Sequence, residues 1–174
     1  MLTPLTRFSL ATHDGPYQTW PLTTPLLVDG VPCAQRVLGY FIEGQYQWHD
    51  HALLINSWDC PFEESYDFLL LDPQQRIVSR KSLGVPFATM LLQAHWRHDE
   101  DAVRLHFSGH LFYTLTIRPP SGFFRRTPSL RLTRHLVRPQ DEATQRSIRT
   151  LNQQLADIRE TLERDAAQSP SAGE

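Results

Sequence analysis

The run VRLHFSGHLFYTLTI, Val103–Ile117, decides the fold class. Val103, Leu105, Phe107, Gly109, Leu111, Tyr113, Leu115 and Ile117 share one parity, while Arg104, His106, Ser108 and His110 occupy the other. Alternation of this kind places successive side chains on opposite faces of a pleated strand, and no helix produces it. The spacing predicts one long strand with an oily face toward a core and a polar face toward water or a ligand. Gly109 marks a bend or bulge where the strand changes sheet.

The preceding run repeats the pattern. Ala88, Met90, Leu92, Ala94 and Trp96 lie on one face, and Gln93, His95 and Arg97 on the other. A turn at His98–Asp101 sets Trp96 across from Val103 and Leu92 across from Phe107. Working toward the N-terminus, RVLGYFIEG, YQWHDHALLINSW, SYDFLLLD and RIVSRKSL read as further strands. The breaks between them carry turn residues at Glu43-Gly44, Asp59–Pro61, Asp72-Pro73, Gly84–Pro86 and Asp99–Asp101. Strands joined by short connections form an antiparallel meander, in contrast to alternating βα units. The sequence therefore predicts a mainly β protein: an antiparallel β-sandwich or flattened barrel of six to eight strands, with one long C-terminal α-helix.

Residues 1–35 contain Pro4, Pro16, Pro21, Pro25 and Pro32, which block helix and central strand. Trp20, Leu22, Leu26, Leu27 and Val28 require burial, so this segment reads as an extended lead-in that wraps the domain or adds an edge strand. Asp29-Gly30 supplies a turn within it. The β-domain proper is read over 36–138. A helix follows over 139–167, with Asp141 and Glu142 in its first turn, where acidic groups complement the helix dipole. Ile148, Leu151, Leu155, Ile158 and Leu162 recur at alternating spacings of three and four, which is a two-position heptad seam. A helix of about 25 residues would be about 37 Å long. The final segment, 168–174, has the composition of a disordered tail.

Of the 174 residues, 40% are hydrophobic and 21% charged, and the formal net charge is −2. A packed core follows from that composition, and no global positive field draws the chain to nucleic acid or an anionic membrane. No apolar run is long enough to span a membrane, and the N-terminal stretch lacks the apolar block of a secretory signal. Cys33 and Cys60 are too far apart for a redox pair or metal knuckle and read as ordinary thiols of a reducing cytoplasm.

Two readings of function stay open. In the first, the protein is a non-catalytic cytoplasmic binding or adaptor protein. The seam Ile148, Leu151, Leu155, Ile158 and Leu162 then mediates self-association or docking on a protein partner. In the second, the protein is a β-barrel enzyme or small-ligand binder that uses a divalent metal. On one strand, His49 and His51 would point the same way, about 6.6 Å apart, and His95 and His106 could complete the ligand set. Arg125, Arg126, Arg131 and Arg134 lie in a stretch without acidic residues and suit contact with an anion or acidic partner. The acidic cluster Asp59, Glu63, Glu64, Asp67 and Asp72 has no spacing that defines an acid–base pair. No catalytic residue can be assigned.

Overall fold

The computed structural model describes residues 1–58, 64–84, 90–121 and 126–168. It divides into two units, Met1–His135 and Leu136–Glu174.

The first unit is antiparallel throughout. Its twelve strands among the described residues are β1 (Leu2–Pro4), β2 (Phe8–Leu10), β3 (Thr24–Val28), β4 (Val31–Val37), β5 (Phe41–Trp48) and β6 (His51–Ser57), followed by β7 (Ser65–Leu71), β8 (Ile77–Gly84), β9 (Leu92–Asp99), β10 (Ala102–Phe107), β11 (Leu111–Arg118) and β12 (Ser129–Arg134). They form a five-stranded sheet in the order β1-β5-β6-β7-β8, a four-stranded sheet β12-β11-β10-β9 and a three-stranded sheet β2-β3-β4.

The five-stranded sheet is the middle layer. One of its faces (Tyr46, Trp48, Leu53, Ile55, Tyr66, Phe68, Leu70) packs against Val103, Leu105, Phe107, Tyr113, Leu115 and Ile117 of the four-stranded sheet. The opposite face (Ala52, Leu54, Leu69, Leu71) packs against Phe8, Leu26 and Val37 of the small sheet. The central strands β6 and β7 are therefore apolar on both faces, and every residue of each except the first is buried. The two larger sheets also meet at their edges. On one side Leu2 N–H donates to the Glu100 carbonyl (2.9 Å), and on the other Leu130 N–H donates to Ser79 Oγ (2.9 Å). Among the described residues no ladder closes the ring, and the architecture is sandwich-like.

The strand count exceeds six to eight for two reasons. The proline-rich lead-in forms strands of its own: β1 edges the middle sheet and β2, β3 and the start of β4 build the third. Asp29 (φ 51°) and Gly30 (φ 80°) both take left-handed angles between the paired Val28 and Val31, as a two-residue type I′ hairpin requires. In addition, two runs read as single strands are hairpins. Val103–Ile117 turns back at Ser108–His110, where Gly109 (φ 69°) and His110 (φ 54°) are left-handed, and Phe107 pairs with Leu111. The run around His49 turns at His49-Asp50, and Trp48 pairs with His51. Leu92 lies opposite Phe107 as expected. A register shift between Ala102 and Val103 sets Trp96 opposite Arg104 and leaves Arg97 opposite Val103.

The second unit carries α1 (Glu142–Gln168). Asp141 sits at its N-cap, accepting Thr144 N–H at Oδ1 (2.9 Å) and Thr144 Oγ1–H at Oδ2 (2.8 Å). This is one residue outside the first turn expected for it; Glu142 does lie in that turn. No described helix is long and apolar enough to cross a membrane. The tail from 169 onward lies outside the described residues.

Candidate functional site

The histidines proposed as ligands are placed by the hairpins just described. His49 occupies the left-handed position of the β5–β6 turn (φ 52°), exposed, with its ring edge-on to Trp48 at 4.7 Å. His51 begins β6 and holds Asp50 Oδ1 at 2.6 Å. The two therefore do not lie two steps apart on one strand, as alternation alone implied. His95 is fixed between sheets: Nε2–H donates to the Glu43 carbonyl (2.9 Å), which leaves Nδ1 of the neutral ring to accept from Tyr46 Oη (2.6 Å). His106 is fully buried on β10, stacked on Phe112 at 4.3 Å, with Nε2 3.3 Å from His110 Nδ1. Among the described residues no group of three or more His, Cys, Asp and Glu could hold a metal ion.

The polar parity of β10, expected to face water or a ligand, is buried at Arg104 and His106. Arg104 donates to His98 Nε2 (2.7 Å) and to His135 Nε2, which also meets Thr114 Oγ1 (2.7 Å). Two members of the acidic cluster, Asp67 and Asp72, are likewise structural. Buried Asp67 accepts from Ser82 Oγ (2.6 Å), Trp58 Nε1 (2.9 Å) and Arg80 Nε (2.9 Å), and Asp72 caps the β7–β8 turn through Gln74 and Arg76 N–H (both 2.9 Å). Asp59, Cys60, Glu63 and Arg125 lie outside the described residues. Arg126, Arg131 and Arg134 are exposed, and Arg131 joins Lys81 of β8 and Arg118 of β11 around an open recess.

The seam of α1 is divided. Ile148 is buried and Leu151 half-buried, whereas Leu155, Ile158 and Leu162 are 56%, 56% and 63% exposed. Single exposed leucines are ordinary; three at successive heptad positions form a stripe.

A feature that sequence reasoning missed is an aromatic assembly around Tyr40. The rings of Trp20, Trp58, His13 and Tyr17 stand 5.1, 5.3, 5.4 and 5.7 Å from that of Tyr40, all edge-on. Tyr40 is placed there by Gly39 (φ 92°), where an added Cβ would lie 2.8 Å from the Ser57 carbonyl oxygen. Beside the assembly opens a cleft of about 420 Å³ between β2 and the start of β5, walled by Phe8, Leu10, His13, Trp20, Tyr40 and Ile42. Its rings come from positions scattered between 8 and 41, with no period to announce them. The only available signal was the density of Trp, Tyr and His in a segment read as an extended lead-in.

Comparison with known proteins returns nothing: no family model, no curated protein and no solved structure matches this chain.

Proposed function

We propose that this is a non-catalytic binding protein of the cytoplasm that associates with a second copy of itself through α1. The observation that carries the reading is the exposure of Leu155, Ile158 and Leu162 at consecutive seam positions. The positions beside the seam are nearly free of charge: Asn152, Gln154 and Thr161, with Arg159 the exception. Two copies can therefore approach without like-charge repulsion at the flanks that govern partner choice. Of the other charged residues, Arg146 pairs with Glu142 (2.9 Å) and Arg164 with Glu160 (3.0 Å) along the helix. A free thiol at Cys33 fits a reducing compartment.

Burying a Leu or Ile side chain stabilises by about 1.5–3 kcal/mol, and association costs about 4–15 kcal/mol. Three such side chains per helix therefore support a dimer that dissociates on dilution, not a permanent one. Light scattering over a concentration series tests this. The weight-average mass should rise from that of one chain toward that of two, and Leu155→Asp should hold it at one. A mass that stays at one chain throughout overturns the proposal.

The rival reading, a metal-dependent enzyme built on His49 and His51, has less in its favour. His49 sits in a turn, His51 is engaged by Asp50 and His95 is engaged by Tyr46 and Glu43.

A further inference from the structure

We propose that the cleft between β2 and β5 is a binding site for an uncharged small molecule with a flat aromatic ring and one hydrogen-bond donor, of the phenol or indole type. Three observations carry this, and none depends on α1.

The first is composition. The eleven residues lining the cleft include no Asp, Glu, Lys or Arg. A charged ligand would lose its hydration there without gaining a counter-charge, so the site selects neutral molecules. Its volume of about 420 Å³ falls in the range of small-molecule sites.

The second is that the larger polar side chains of the walls are already committed, which leaves the exposed hydroxyls of Ser9 and Thr12 beside His13. Gln45 spends both ends of its amide on Phe8, accepting its N–H (2.9 Å) and donating to its carbonyl (2.9 Å). Trp20 Nε1–H donates to the Gly15 carbonyl (3.1 Å) and Tyr40 Oη–H to that of Pro21 (3.2 Å). What remains is mostly ring surface. A sugar needs many planar polar side chains for its hydroxyls, and the cleft does not offer them.

The third is an acceptor on the ring wall, set by a hydrogen-bond chain of fixed direction. Thr24 Oγ1–H donates to the Gly39 carbonyl (2.8 Å), so its oxygen must accept from His13 Nε2–H (2.9 Å). Nε2 therefore carries the proton of the neutral ring, and Nδ1 is left as an acceptor. Among the described residues the bond to Thr24 is the only hydrogen bond of His13, whose ring lines the cleft. Thr24 is fully buried, which holds the tautomer in place. A ligand that stacks on the aromatic wall and donates one N–H or O–H uses what the cleft leaves open.

The test titrates phenol, indole, toluene and glucose into the full-length protein, followed by saturation-transfer NMR and calorimetry. Phenol and indole should bind, toluene several-fold more weakly, and glucose not at all. His13→Phe keeps a ring on the wall but removes the acceptor. It should weaken phenol about five- to tenfold and leave toluene unchanged. Ile42→Trp, checked for native circular dichroism, should fill the cleft and abolish binding of every probe. Absence of phenol and indole binding at millimolar concentration overturns the proposal. So does equal loss of phenol and toluene in His13→Phe, undiminished binding in Ile42→Trp, or a preference for glucose.

Discussion

The hydroxyl of Tyr46 on β5 stands 2.6 Å from Nδ1 of His95 on β9, joining the middle sheet to the four-stranded one. Burial pushes the Tyr46 phenol up to about 12. Its proton is bound more tightly in the folded than in the unfolded chain, so its stabilising contribution is complete below the unfolded value of about 10. That contribution is lost as pH rises through about 12. Tyr46→Phe should cost about 1 kcal/mol near neutrality and should remove this alkaline component. Urea melts at about pH 7 and about pH 11 check it: the gap between wild type and variant should narrow at the higher pH. A constant gap contradicts the assignment.

Gly44 lies under the same imidazole. A Cβ there would approach His95 Cε1 to 2.5 Å, and the ring cannot swing aside without breaking its bonds to Tyr46 and Glu43. Gly44→Ala should destabilise by about 1–3 kcal/mol. Adding His95→Ala should recover part of the loss, so the double mutant falls short of the two single effects combined. Additive losses in thermal denaturation would show that the two positions do not press on each other.

Asp67 is a buried carboxylate with three side-chain donors, one of which, Trp58 Nε1, belongs to the ring beside Tyr40. Asp67→Ala strands those donors and should cost about 2–3 kcal/mol, with a change in the near-ultraviolet circular dichroism of Trp58. Arg80→Ala should cost much less, because that side chain is 48% exposed. Equal losses for the two variants would mean that the network is not what holds Trp58.

Metal analysis of the purified protein and of a His49→Ala, His51→Ala double variant should give the same divalent-metal content. A metal present in wild type and missing from the variant would establish a ligand set on the β5–β6 turn.

The β-sheet class, the antiparallel connections and the C-terminal helix were legible because alternation and heptad spacing are local properties. Hairpins were legible only in part, for a geometric reason. A loop of three residues, Ser108–His110, keeps Phe107 and Leu111 at the same parity, so the inward face continues unbroken through the reversal. Period-two patterning cannot see such a turn; only Gly109 hinted at it. The His49-Asp50 loop has two residues, neither of them glycine or asparagine, and inverts the parity instead. That inversion puts Tyr46 and Trp48 on the face of Leu53 and Ile55. The apolar character of both faces along Ala52–Ile55 was visible in the sequence, but a layer on each side needs the lead-in folded as a third sheet, and its prolines concealed that. The polar parity of β10 was expected to face water or a ligand, because burial of Arg104 and His106 depends on partners at positions 98, 110 and 135, which no local pattern links. The aromatic cleft was hidden in the same way.

The central functional claim is that the exposed half of the α1 seam is where two copies meet. Light scattering across a concentration series, on wild type and Leu155→Asp side by side, addresses it most directly. The account predicts a wild-type mass that climbs toward twice that of one chain, a variant that stays at one chain, and the same β-sheet circular dichroism in both. A wild-type mass fixed at a single chain, or a variant that associates as wild type does, contradicts it.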